Sequence, residues 1–199
     1  VKKSNIRRKT FVAREDLLNR LAQVAEAQGS SMFEFVNDLF QLAIDSDELS
    51  FSLKRVVEER KTLETAKGAG FILGLESLWY EMADSAYKKD KRVALKNWFD
   101  SGVWFATRYV TNGIKAPLDQ FKNDLSAFTW NAPEFELEML GDKASIKITS
   151  PRFTEAYTLL FASFLLGAMG KFGYQPVAQE VSRGVIRLDT VRNGVNGTA

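Results

Sequence analysis

Between Glu134 and Ile148 the chain alternates charge and hydrocarbon with a period of two, and this pattern does most to limit the folds open to it. Glu134, Glu136 and Glu138 alternate with Phe135, Leu137 and Met139, and Gly141-Asp142 follows as a two-residue turn signal. Folding about that turn sets Leu137 opposite Ile146 and Phe135 opposite Ile148 on the apolar face, and Glu136 opposite Lys147 on the polar face. Pattern and register agree, so the chain must contain an antiparallel hairpin with one buried and one wet face. Tyr174 to Val181 and Gly184 to Val191 predict a second hairpin, with a strongly apolar helix from about Phe153 to Lys171 before it. The uncharged run Ala156 to Met169 within that helix is shorter than the roughly 20 residues of a membrane span, so the helix is expected to be buried.

Upstream the signal is helical. Residues 51–111 are helix-rich, with breaks near Gly68, Gly70 and Gly74 and again near Asp90. Leu78, Trp79, Met82 and Ala86 suit one helix, and Ala94, Trp98, Ser101, Phe105 and Tyr109 another. Nearer the start, Leu17, Leu18, Leu21, Val24 and Ala25 form one apolar stripe over about 14–28, and Gly29 ends it. Ser31 and Glu34 have capping-box spacing, opening a second helix to about Ile44 with Phe35, Val36, Leu39, Phe40 and Ala43 on one face. Before both, Ile6 to Val12 is rich in β-favouring residues and reads as a short strand. A strand that short leaves its backbone unpaired, and two short helices bury little, so the unit asks for a partner. Pairing the strand with its copy from a second chain would answer both needs.

Charge is unevenly distributed. The whole chain balances 27 Lys and Arg against 25 Asp and Glu, which says little. Residues 1–14, however, hold Lys2, Lys3, Arg7, Arg8, Lys9 and Arg14 and no acid, the pattern of a nucleic-acid arm. The sequence contains no Cys and no His. That removes disulfides, thiol nucleophiles, Cys/His zinc sites and histidine general bases, and it suits a cytoplasmic location. No apolar leader core is visible near the N-terminus.

The order strand, helix, Gly-Ser turn, helix over 6–44 resembles the ribbon-helix-helix family of Arc, MetJ and CopG type. The resemblance is carried by Arg7-Arg8-Lys9-Thr10-Phe11-Val12, by Arg14-Glu15-Asp16-Leu17-Leu18 and by Val24-Ala25-Glu26-Ala27-Gln28-Gly29-Ser30-Ser31. It implies an antiparallel ribbon of two strands from two chains in the major groove, reading base edges from its outer face. Arg7 and Lys9 are then the candidate readers, with Thr10 and Val12 toward the helices. Phe11 departs from the usual polar residue at that face, so the register with Arg8 and Thr10 outward stays open. Gly29, Ser30 and Ser31 at the start of the second helix would meet a phosphate, as would Lys2 and Lys3. Ser31 also serves as a plain helix cap. The later stretch Phe164-Leu165-Leu166-Gly167-Ala168-Met169-Gly170, with Val177-Ala178-Gln179-Glu180-Val181, is similar to TRAPP-like and vinyl-reductase-like ligand-binding domains. The cysteines common in the second group are missing here, so no metal role carries over.

Competing chemistries are weaker. The glycines of 68–74 lack dinucleotide spacing and a preceding strand. Trp79, Trp98, Phe105, Phe161 and Phe164 could line an apolar pocket, although aromatics more often fill a core. The Glu134, Glu136 and Glu138 row reads as a solvated face rather than a cation site. Nothing marks a catalytic constellation. The combined expectation is an α+β protein. An N-terminal ribbon-helix-helix dimerising module spans 1–48, and a helix-rich α+β domain with two β-hairpins, for ligand sensing or oligomerisation, spans 49–192. A flexible tail covers 193–199. The expected function is a dimeric, sequence-specific DNA-binding transcriptional regulator and not an enzyme. Its expected partners are double-stranded DNA, a homodimer or higher homo-oligomer and a small apolar effector, with no cofactor, metal or membrane. The alternative is an interaction or ligand-binding protein that uses the N-terminal module mainly to dimerise.

Overall fold

Exposed residues at the start of the chain overturn the first expectation. In the computed structural model, which describes residues 9–72 and 74–193, residues 9–14 belong to no strand and the first regular element is a helix. The N-terminal β-ribbon is therefore corrected: the described chain opens on helices, and its β-structure is confined to a sheet near the C-terminus. The reason is physical. β-favouring side chains make a strand only where a neighbour takes up the backbone groups, and no strand of the sheet pairs with this segment. Val12 is 98% exposed, and Phe11 instead lays its ring edge on Phe40, with centroids 5.4 Å apart. Lys9 is exposed; Lys2, Lys3, Arg7 and Arg8, with residues 6–8 of the strand expected over 6–12, lie outside the described residues.

The chain divides into two compact units between Arg60 and Lys61. In the first, α1 (Glu15–Ala27) and α2 (Met32–Glu48) are joined by a turn with Gly29 at φ 70°. The capping box is present as the spacing predicts. The Glu34 N–H donates to the Ser31 hydroxyl, and the Ser31 N–H donates back to the Glu34 carboxylate, both at 3.2 Å. α2 runs a turn beyond the expected end, and Ser46 within that turn is buried, its hydroxyl donating to the Phe51 carbonyl. α3 (Leu53–Gly68) carries the division between the units.

The second unit holds α4 (Glu76–Lys89), α5 (Lys91–Thr111), α6 (Pro117–Phe128), β1 (Glu134–Leu140), β2 (Lys143–Thr149), α7 (Glu155–Lys171), β3 (Tyr174–Ser182) and β4 (Val185–Arg192). The strands form one antiparallel sheet in the order β1-β2-β4-β3. The first hairpin keeps the register read from its alternation, with Leu137 opposite Ile146, Phe135 opposite Ile148 and Glu136 opposite Lys147. Leu137, Ile146, Ile148, Ile186 and Leu188 make the inner face and are wholly buried. At one edge β1 presents its three glutamates outward. At the other, β3 breaks register between Pro176 and Ala178.

α7 is apolar because it is surrounded. It packs against β3 and β4 and against α4 and α5, and Leu160, Leu165, Ala168 and Met169 are sealed within. Contact with α5 is backbone to backbone. A Cβ added at Gly102 would sit 1.9 Å from the Phe164 carbonyl oxygen, and one at Gly167 would sit 2.1 Å from the Phe99 carbonyl oxygen. Only glycine lets two helices approach so closely. α6 falls in a stretch, 112–133, for which no element is predicted above. Pro117 starts it, and Leu118, Phe121 and Leu125 recur at helical spacing on its buried face. The broken segment after α3 is tied down by Phe71, whose ring meets Phe105 and Phe128. Asn193 donates to the Gly173 carbonyl, and the rest of the expected tail, 194–199, lies outside the described residues.

Candidate functional site

Among its described residues the first unit buries only one apolar side chain, Ala25. Leu17, Leu21 and Val24 of α1 and Val36, Leu39 and Phe40 of α2 line an apolar groove, and Phe11 joins it. Leu17 and Phe40 are each half exposed. Two helices of this length that leave their shared stripe in water cannot be stable alone. The groove therefore needs cover.

Charge in this unit is segregated by element. From Glu15 to Glu48 the helices carry Glu15, Asp16, Glu26, Glu34, Asp38, Asp45, Asp47 and Glu48 against Arg20 alone. Cations lie before them, from Lys2 to Arg14, and again on α3, where Lys54 and Arg55 pair with Glu58 and Glu59. Arg14 is partly spent: its guanidinium holds both carboxylate oxygens of Asp16, at 2.6 and 3.0 Å, and pulls that carboxyl below its ordinary value. Gly29, Ser30 and Ser31 stand at the start of α2 as the sequence places them. There the Glu34 carboxylate already accepts from the Ser31 hydroxyl and N–H, and these bonds hold its pKa low. A phosphate at this helix end would have to displace a bound carboxylate.

In the second unit, Phe105 and Phe161 are buried and both meet the Phe164 ring, with centroids 5.8 and 6.0 Å apart. The Phe164 ring is thus in contact with both of the others. Trp98 stands edge-on to Tyr157 at the margin of the same core, and Trp79 is 40% exposed on α4. The five aromatics thus divide between core and surface.

Two polar clusters escape any reading of spacing. The Tyr80 hydroxyl donates to Glu76 and accepts from Asn131 at 3.1 Å, while Glu76 also pairs with Arg152 at 3.0 Å. Burial, then the bond to Glu76, drives that phenol's pKa far up. The second cluster is built on Asp124, a buried carboxylate that forms no ion pair among the described residues. It accepts from the Tyr109 hydroxyl at 2.8 Å and from the Gln120 amide at 2.7 Å. Burial and the Asp124 bond raise the Tyr109 pKa as well. Tyr109→Phe takes away one of the two donors and is expected to cost about 1–3 kcal/mol in urea unfolding. A phenol whose pKa is raised on folding stabilises fully below its free value of 10.0, and that stability drains as pH rises through the folded value. Wild type should therefore lose stability above pH 10.0, and Tyr109→Phe should show a shallower alkaline fall. Parallel curves would show that Tyr109 contributes none of it.

Glu136 of the acidic row pairs with Lys147 at 3.7 Å, and Glu180 with Arg187 at 2.9 Å. Among the described residues no carboxylate group is arranged to hold a metal, and no helix is long and apolar enough to cross a membrane. No protein-family model, curated protein or solved structure matches this chain.

Proposed function

We propose that the chain is a homodimeric, DNA-binding transcriptional regulator of the cytoplasm. In this reading the basic segment 1–14 supplies the DNA contacts, the apolar α1–α2 groove holds two copies together, and the second unit senses an effector or extends the oligomer. The observation that carries it is the segregation of charge in the first unit. Acidic helices repel a polyanion, so they leave the cationic segment as the part that meets DNA and the apolar groove as the part that meets protein. Arg7, Arg8 and Lys9 are the base-contact candidates, and Lys2 and Lys3 the phosphate-contact candidates.

The test is fluorescence anisotropy of the full chain on labelled genomic fragments and on a mixed-sequence duplex, over a salt series. Wild type should prefer particular fragments. Changing Lys2, Lys3, Arg7, Arg8 and Lys9 together to Gln should flatten the slope of log affinity against log salt by about 0.9 for each phosphate the variant no longer neutralises. Arg7→Ala with Lys9→Ala should narrow the gap between preferred and mixed sequence. Equal binding by wild type and the five-residue variant would end this reading. A second reading, dimerisation without DNA, draws support from the Glu34 carboxylate seated at the start of α2. It requires a stable dimer that binds no duplex at low salt.

A further inference from the structure

α4 is apolar on two opposite sides, and one of them is uncovered. Tyr80 and Ala83 face inward and are buried. Leu75, Leu78, Trp79 and Met82 recur at the spacing of one helix stripe and face outward. Leu75, Leu78 and Met82 are each more than half exposed, and exposed Ser85 and Ala86 continue the stripe. On α5, by contrast, exposed Val93 and Trp104 share their face with polar Asn97 and Asp100. A helix apolar on both sides is ordinarily buried on both. α4 cannot hide the outer stripe by rolling about its axis. Arg152 holds Glu76 at 3.0 Å, Asn131 donates to the Tyr80 hydroxyl at 3.1 Å, and the Thr154 hydroxyl donates to Asp84 at 2.6 Å.

The stripe is asymmetric along its length, and the asymmetry indicates what covers it. Leu75, Leu78 and Trp79 at one end are large, Met82 stands in the middle, and Ser85 and Ala86 at the other end are small. Charge changes sign in the same direction. Glu81 borders the stripe, and Lys88, two turns later, lies on the same side. A second α4 laid antiparallel across a two-fold axis answers both gradients. With Met82 on the axis, Leu78 meets Ala86 of the second copy, and Leu75 meets the methylenes of its Lys89. Helical side chains lean toward their own N-terminus, so Glu81 and Lys88 of the second copy lean toward each other. Leu78, Glu81, Met82 and Ser85 line a shallow hollow, the four-residue hole that a side chain of a facing helix fills, and Met82 of the second copy stands at that level. A parallel copy would set large on large, leave a gap at Ser85 and Ala86, and part Glu81 from Lys88 across the seam.

We infer that the outer face of α4 is a self-association surface, on which two copies of this chain pack α4 against α4, antiparallel about a two-fold axis. The inference rests on the reading above only where it lets the second unit extend the oligomer, and DNA binding plays no part in it. Fewer side chains meet here than in the α1–α2 groove, from one helix instead of two. The contact is therefore the weaker one and fills at higher concentration.

The chain has no cysteine, so a single introduced thiol reports contact without background. Full-length Met82→Cys and, as control, Asn97→Cys on α5 are oxidised with copper phenanthroline over a protein concentration series. Circular dichroism and thermal melting establish that each is folded. A disulfide needs Cα atoms within about 7 Å, which a residue on the two-fold axis of two packed helices can reach. Met82→Cys should form a two-chain species at concentrations where Asn97→Cys stays single. In the Met82→Cys background, Glu81→Lys or Lys88→Glu alone sets like charges together twice about the axis. Each should raise the concentration needed for cross-linking by roughly threefold to tenfold, and the double reversal should restore it. Equal cross-linking by the two thiols overturns the inference, and so do charge reversals without effect. If Met82→Cys cross-links no better than the control while wild type forms a groove-dependent dimer, this inference fails and the dimer reading stands. If Met82→Cys still cross-links in a chain that forms no groove-dependent dimer, the dimer reading fails and this inference stands.

Discussion

Gly102→Ala and Gly167→Ala should each lower the urea midpoint of the full chain, costing about 2–3 kcal/mol, while Gly170→Ala should raise it by about 0.4–1 kcal/mol. One chemical change thus has opposite signs along one helix. At an ordinary helical position, Gly to Ala removes unfolded-state freedom and improves helix propensity. Gly170 is such a position, with nothing within 4 Å of an added Cβ. At Gly102 the new methyl would overlap the Phe164 carbonyl, and at Gly167 it would overlap that of Phe99. Both obstacles are backbone atoms in the middle of helices, so α5 and α7 must part to make room. Parting them loosens the packing of Leu160 and Leu165 beneath. The two glycines serve one contact, so the double variant should cost clearly less than the sum of the singles. An unchanged midpoint in Gly102→Ala would mean the helices do not cross there.

If the proposed homodimer forms through the α1–α2 groove, Phe40→Asp should convert a two-copy species into a one-copy species in sedimentation equilibrium, weakening association by at least about 2 kcal/mol, roughly thirtyfold. Phe40 is half exposed, lines the groove of the first unit and supports the Phe11 ring. A carboxylate there must be desolvated if a second copy is to cover the stripe. Leu42→Asp is the matched control, since Leu42 is 54% exposed but does not line the groove. Only the first substitution should dissociate the protein. Equal effects would place the interface elsewhere, and no effect from either would remove the groove from it. In the proposed DNA-binding dimer two basic segments are joined, so on that reading Phe40→Asp should also weaken duplex binding even though it lies on no cation.

The sequence carried its local grammar well and its long-range pairings poorly. The first hairpin's register follows from alternation plus a two-residue turn, both encoded among near neighbours in the chain. The Ser31–Glu34 box and the Gly29 stop are legible for the same reason. The described part of the expected strand, residues 9–12, misled because β propensity describes a side chain's fit to a sheet that something else must provide. There the described residues follow Phe11 onto Phe40 instead. α6 had a signal, Pro117 followed by Leu118, Phe121 and Leu125 at helical spacing, that the reading above did not take up. Tyr80 with Asn131 and Tyr109 with Asp124 had none, since their partners are distant in the chain or on another helix. Aromatic spacing likewise could not separate Phe105 and Phe161, which fill the core, from Trp79, which faces water.

The sheet's two rims bear on how the protein behaves when crowded. A bare strand edge is a template for another chain, and repeated addition there is how native sheets seed fibrils. Here one rim repels its own copy through Glu134, Glu136 and Glu138, and the other is interrupted where Pro176 has no N–H to give and the pairing slips. Growth by strand addition is closed at both ends. Concentrated solutions should therefore assemble, if they assemble at all, through helical faces, and remain reversible and dye-negative for amyloid until the closing hairpin is prised open.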